Sequence, residues 1–316
     1  MTGFSFKPAE FKPSSLTIGF CGETGKGKTY SALRLATGLA NGGRIVVIDT
    51  ERGRAQRYAT EFKFDVCELT EPFTPNRYVE AIKAAYALNP AVIIIDSATH
   101  EWTGEGGCLE WHAQITENMA NKWGGSPEKF NFQAWGDVKQ SHRHFIRCFE
   151  APKCHMLCTF RAKEKNEQIK ENGKTKIVNK GLRPEGSEDL PFALDILMTF
   201  EDAAGVPSFG AKTLSHIFNG IFKEGERISK EHGQRLVAWC CQGKNPPKQE
   251  PIQDLSEDET NKIISQSRDE AAKGMNAYKE YWASLDKSQQ KALAPYHDGN
   301  KKMAQEVDSL NVKGGE

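Results

Sequence analysis

The run Gly22-Glu23-Thr24-Gly25-Lys26-Gly27-Lys28-Thr29 constrains this chain more than any other, because it satisfies G-x-x-x-x-G-K-[ST] at every fixed position. Glycines there let successive backbone N–H groups curl around a phosphate, the lysine reaches the β- and γ-phosphates, and the threonine hydroxyl is placed to ligate Mg²⁺. Such a loop needs a strand before it and, after it, a helix whose N-terminus faces the anion. The flanks meet that demand. Leu16-Thr17-Ile18-Gly19-Phe20-Cys21 reads as a short apolar strand, and Leu33, Leu35, Ala36 and Leu39 fall at helical spacing between Tyr30 and Ala40.

From residue 16 to about 242, short β-branched runs alternate with helical patterns, so the expected core is α/β with a mainly parallel central sheet. Strands are expected at 16–21, 44–49, 91–96, 154–160, 194–200 and 213–218. Residues 1–15, with Phe4, Phe6 and Phe11 among Lys-Pro pairs, read as an N-terminal arm. Paired prolines in Gly243-Lys-Asn-Pro-Pro-Lys-Gln-Glu250 make 243–256 a linker. Residues 257–316 are expected to form a small helical C-terminal module: Ser256 and Glu259 have capping-box spacing, and Tyr278 and Trp282 share a helical face. Residues 251–316 hold nine Lys/Arg against twelve Asp/Glu, which points the module toward docking on the core or on a partner and away from DNA.

The whole chain carries 42 basic and 42 acidic residues, so any nucleic-acid contact must come from local clustering. No apolar run approaches the ~18 residues that span a bilayer, and no leader pattern opens the sequence. The expectation is a soluble, cytoplasmic protein without membrane contact. Eight cysteines without a C-x-x-C pair read as reduced core residues. A zinc site from Cys148, Cys154, His155 and Cys158 is disfavoured, since the spacing fits no common zinc pattern and 154–158 lies on an expected buried strand.

Two apolar strands end in carboxylates. Ala91-Val-Ile-Ile-Ile-Asp96 has the form in which an aspartate holds the Mg²⁺ shell, so Thr29 and Asp96 are the expected metal ligands. Arg44-Ile-Val-Val-Ile-Asp-Thr-Glu51 places a glutamate beyond a second strand, where it could orient and deprotonate the attacking water. Farther along, Arg161 to Arg183 contains eight basic and three acidic residues around Asn172-Gly173, including Lys163, Lys165, Lys170, Lys174, Lys176 and Lys180. Clustering of this kind is what phosphate binding requires, although a solvated β-hairpin or a lid over the nucleotide would also use it. Trp123, Phe130, Phe132 and Trp135 suit stacking on unpaired bases and suit core packing equally.

A catalytic glutamate after the second core strand, in place of one beside Asp96, resembles the RecA-like ATPases, and the chain as a whole resembles their minimal phage-type recombinases and annealing ATPases. The resemblance runs over roughly 16–242. It implies that Gly22, Glu23, Thr24, Gly25, Lys26, Gly27, Lys28, Thr29 and Tyr30 hold ATP with Mg²⁺, and that Tyr58, seven residues past Glu51, stacks on adenine. The family's aspartate on adenine has no counterpart, since Ala55 stands there. It further implies catalytic roles for Lys28, Glu51 and Arg161, and for Lys212 as a basic finger toward a neighbour's γ-phosphate. The segment after Phe160 would be a mobile DNA-binding loop using Lys163, Lys165, Lys170, Lys174, Lys176, Lys180 and Arg183. Phe6-Lys7-Pro8-Ala9 has the Phe-x-x-Ala form by which related recombinases dock onto the next subunit. The implied activity is ATP-dependent single-stranded DNA binding with strand annealing or exchange. The implied partners are single-stranded DNA, further copies in a filament or ring, and a single-strand-binding protein on the C-terminal helices. A P-loop small-molecule kinase and a hexameric DNA motor or helicase are the alternatives.

Overall fold

The phosphate loop joins β1 (Thr17–Gly22) to α1 (Lys28–Leu39) in a computed structural model that describes residues 5–171, 174–201, 205–210, 212, 214–218, 220–223, 225–241 and 256–313. Then follow β2 (Ile45–Asp49), β3 (Asp65–Glu68), α2 (Pro75–Ala87), β4 (Val92–Asp96), α3 (Thr99–Thr103), α4 (Cys108–Trp123) and α5 (Asn131–Glu150). The chain returns through β5 (His155–Glu171), β6 (Lys174–Pro184), β7 (Ile196–Phe200) and α6 (Lys230–Cys240). Two compact units partition the chain, residues 1–249 and 250–316.

In the first unit the order is β3-β2-β4-β5-β1-β7, all parallel, with β6 pairing antiparallel to β5. The central strands are buried on both faces, as near-continuous Val/Ile/Leu runs require. Period-two alternation divides them. Ile18, Phe20, Val47, Ile94 and Leu157 pack on the side of α1 and α6, whereas Ile48, Ile95, Met156, Cys158 and Phe160 pack on the side of α2 and α5. The register Gly22↔Arg161 and Asp49↔Asp96 brings the C-terminal strand ends to one edge, beside the N-terminus of α1.

Helices α1 and α6 cross at two glycines. A Cβ on Gly38 would collide with the Lys230 carbonyl oxygen and sit 2.8 Å from Gly233 Cα; one on Gly233 would lie 2.6 Å from Leu39 N. Backbone meets backbone here, so the apolar face Leu33, Leu35, Ala36 and Leu39 is closed at short range by Leu236 and Val237.

Five expected strands are present, and four points need correction. The run 213–218 is not a strand: His216–Phe218 is a 3-10 turn that buries Phe218, and Thr213 lies outside the described residues. The return strand begins at Ile196, after a 3-10 turn over Leu190–Ala193. Asp65–Glu68 is an additional edge strand whose residues are all exposed, so no apolar alternation announces it. The basic segment is an extension of β5 with β6, a two-stranded hairpin and not a loop; its Asn172-Gly173 tip lies outside the described residues.

His155 opens β5 and its Nδ1 accepts from the Leu16 amide at 3.1 Å. Burial pushes this imidazole down to about 4 from the usual 6.5. Protonation therefore favours the unfolded chain, and the contribution to stability is whole above pH 6.5 and lost as the pH falls toward 4. Urea melts across that window should show a decline that His155→Gln flattens; an equal decline in both proteins would assign the acid sensitivity elsewhere.

The second unit has α7 (Glu257–Ala271), α8 (Met275–Ser284) and α9 (Lys287–Lys313). The capping box forms, with Glu259 N donating to Ser256 Oγ at 3.3 Å and Ser256 N to Glu259 Oε2 at 3.0 Å. Tyr278 is buried, donating toward His297 at 2.9 Å, and Trp282 packs on the same imidazole at 3.8 Å between ring centroids. The linker residues 242–255 lie outside the described residues. Among the described residues no helix is long and apolar enough to cross a membrane.

Candidate nucleotide site

Gly25 and Gly27 hold φ of +86° and +80°, a left-handed backbone that side chains resist, and this turns the loop over the first turn of α1. Lys28 Nζ donates to Gly22 O and Glu23 O, each at 2.8 Å, and burial lowers its pKa. Thr29 Oγ1 donates to Asp96 Oδ2 at 2.7 Å, and Thr159 Oγ1 donates to the other oxygen of the same carboxylate. Asp96 is buried, and desolvation pushes its pKa up. A hydroxyl and a carboxylate within hydrogen-bond reach, under a helix N-terminus and beside a half-buried ammonium, fit a hard cation with a polyphosphate. Thr29 and Asp96 would hold Mg²⁺, which when bound neutralises phosphate charge.

Strand parity explains the assembly. Asp96, Thr159 and Arg161 share the α1 face of their strands with Ile94 and Leu157, so the chain that buries those apolar residues also delivers the polar ones to the site. Glu51 is presented differently. Asp49, buried at the end of β2, accepts from Glu51 N at 2.6 Å and from Ala55 N at 3.0 Å, which folds residues 50–55 into a turn over the strand edge. Glu51 Oε1 then accepts from Arg161 at 3.0 Å, and Oε2 lies 3.2 Å from Arg54. His100 Nε2 is 3.7 Å from Glu51 and its other nitrogen contacts Thr50 Oγ1 at 2.7 Å; burial, aided by Arg161, lowers its pKa, so the arginines are the cations on this carboxylate near neutral pH.

Lys28, Thr29, Glu51, Arg54, Asp96, Thr159 and Arg161 line a cavity of about 400 Å³. Of the expected residues, Thr24, Gly25, Gly27, Lys28, Thr29, Glu51, Tyr58, Asp96 and Arg161 come together there. Tyr30 does not line it: its ring backs Tyr58 at 5.5 Å and its hydroxyl donates to Glu61. Lys212 is far from expectation. Its ammonium donates to the carbonyls of Pro191 and Leu194, just before β7, hence at the end of the parallel sheet opposite the phosphate loop. Peptide oxygens hold the charge that was to reach a neighbour's phosphate. Arg183 is likewise turned back, toward Leu182 O and Gly210 O. Lys163 is exposed and Lys165 pairs with Glu188 at 2.6 Å in the open; the side chains of Lys170, Lys174, Lys176 and Lys180 lie outside the described residues.

Sequence reasoning passed over Arg54, Arg57, Ser97, His100 and Thr159. Thr159, a hydroxyl inside an apolar strand, carried a readable signal. Arg54, Arg57 and Ser97 sit on turns or a short 3-10 segment and His100 on the five-residue α3, none long enough for a periodicity to mark. The aromatic segment divides: Phe130 is buried and Trp135 stacks between Trp102 and His112, while Trp123 and Phe132 are exposed at 58% and 92%.

A family model described as an AAA domain matches residues 14–210. No curated protein matches the chain.

Proposed function

The chain belongs to the AAA-domain family, whose P-loop core is an ATPase domain, and from that premise we propose that it is a single-stranded DNA-binding ATPase that promotes strand annealing or exchange. One observation carries this reading: β5 is continuous. The strand that supplies Thr159 to Asp96 and Arg161 to Glu51 runs on to Glu171 and pairs with β6, so the nucleotide site and the basic hairpin are two parts of one element. At ~3.3 Å per residue the part of this strand from Arg161 to Glu171 is a lever of roughly 33 Å.

Lys28 and Thr29 bind the phosphates and the cation, and Glu51 takes the proton of the attacking water at a carboxylate oxygen. Arg161 holds that carboxylate until phosphate charge competes for the guanidinium, and a change at Arg161 is transmitted along β5 to the hairpin. Net charge of +5 over 161–183 supplies the phosphate contacts on a chain whose total net charge is zero. Phe6, 99% exposed in the arm, is the ring offered to a second copy, and the acidic C-terminal helices are offered to a single-strand-binding protein.

ATP hydrolysis measured with and without single-stranded DNA, with Lys28→Ala as the blank, tests the reading. Stimulation by DNA is expected. Replacing Lys163 and Lys165 by Ala should flatten the salt dependence of binding by ~0.7 in log–log slope for each DNA phosphate left unneutralised. Turnover indifferent to DNA, with no DNA retained in ATP, would discard the reading in favour of a kinase or another ATP switch.

A further inference from the structure

Three helices converge on one buried cluster that the ATPase reading leaves unused. Glu101 of α3, Cys108 of α4 and His142 of α5 are each at least nine-tenths buried, and their donor atoms lie within 4.8 Å of one another. Glu101 Oε1 is 2.8 Å from His142 Nδ1 and accepts from Cys108 Sγ at 3.3 Å. We propose that Glu101, Cys108 and His142 form a structural site for a divalent transition metal of zinc type, pinning α3 to α4 and α5.

Donor chemistry supports that class. One thiolate sulfur, one imidazole nitrogen and one carboxylate oxygen are the borderline set that zinc accepts, and calcium or magnesium would refuse the sulfur. Geometry is close to what is needed. Ligands at ~2.0–2.3 Å on a tetrahedral ion are separated by roughly 3.3–3.7 Å, so the Glu101–His142 contact must open by about half an ångström and the Cys108–Glu101 contact by a few tenths, in a cluster whose donor atoms all lie within 4.8 Å of one another.

The second observation concerns the other ring nitrogen. His142 Nε2 is buried with no hydrogen-bond partner among the described residues, and the neighbouring rings are Trp102 at 5.0 Å and Phe145 at 6.5 Å between centroids. Among aromatic faces an N–H, with its positive hydrogen, is better placed than a bare lone pair. Without a metal, the 2.8 Å contact is a hydrogen bond from Nδ1–H to Glu101, and the neutral tautomer that makes it leaves Nε2 as that buried bare lone pair. A metal on Nδ1 would take the place of that proton and put the ring N–H on Nε2. Binding releases the Cys108 thiol proton to solvent, and any proton on Nδ1 moves to Nε2, so charge balances at one thiolate and one carboxylate on a doubly charged ion.

The site would serve the ATPase indirectly. On α3, Thr99 Oγ1 accepts from Arg161 N at 2.9 Å and His100 lies beside Glu51, so fixing this short helix holds both groups in place. They are positioning residues in this account, and the metal ligands touch no reacting atom.

The untagged full chain, purified without chelator, should contain one equivalent of zinc by elemental analysis. After removal of zinc, titration with Co²⁺ should give a thiolate-to-cobalt charge-transfer absorption, and Cys108→Ser should lose it completely. His142→Gln should weaken Co²⁺ binding by tenfold or more while keeping some of the thiolate band. If either variant fails to fold, the zinc content and cobalt spectrum of the wild-type chain decide. Absence of both zinc and the cobalt band in the wild type would overturn the site, and so would a band that survives in Cys108→Ser.

Discussion

Replacing Glu51 by Gln is expected to lower ATP turnover by about 10²–10⁴-fold, the range a general base contributes, while affinity for Mg-ATP stays within a fewfold of wild type. The amide keeps an oxygen for Arg161 and Arg54, so the turn fixed by Asp49 is preserved, but it cannot take a proton from water. Affinity should persist because the groups placed to meet the phosphates and the cation are the loop, Lys28, Thr29 and Asp96, whose hydrogen bonds do not involve Glu51. Single-turnover hydrolysis together with binding of a fluorescent nucleotide separates the two effects. Full turnover in Glu51→Gln would remove this residue as the base. Loss of binding in step with turnover would show that the carboxylate organises the pocket instead. Arg161→Ala supplies the converse: the carboxylate survives without its main partner, and basal turnover and DNA response should separate, since the link from Glu51 into β5 is cut.

The second large effect lies away from the chemistry. Gly38→Ala, judged by helix propensity alone, should stabilise α1 by up to ~1 kcal/mol. The crossing with α6 predicts the opposite sign, because the added methyl meets the Lys230 carbonyl and the Gly233 backbone, which cannot rotate aside as a side chain can. Overpacking of this kind costs about 1–3 kcal/mol, and Gly38→Val should lie at or beyond the upper end. Urea unfolding of the two variants measures it. A Gly38→Ala protein as stable as wild type would mean that the helices separate freely at this point.

The strand-loop-helix unit, the positions of five of the parallel strands and the choice of Thr29 and Asp96 as partners were legible because each rests on local chemistry: glycines at fixed positions, apolar runs of strand length, a carboxylate at a strand end. Thr159 was legible in principle from the same strand. What could not be read depends on contacts made at long range. Lys212 looked free as one charge ahead of a β-branched run, and only the fold reveals the two carbonyls that hold it. Asp65–Glu68 forms a strand because β2 offers it an edge, not because its sequence alternates. The basic segment is similar: its charge was visible, whereas its extension from the β5 core strand is a matter of pairing. For the buried trio, spacings of seven and thirty-four residues match no metal pattern, and the cluster exists because three helices happen to meet.

The glycine crossing also has a consequence for how the molecule is made. Helix α1 leaves the ribosome roughly 190 residues before the helix that covers it, so its apolar face waits through synthesis of the whole sheet before backbone can close on backbone. A nascent chain halted at residue 210, where the family match stops, contains every described strand and the complete phosphate loop yet lacks this cover. Such a chain should remain a client of chaperones, and release of residues 230–240 should be the step that frees it.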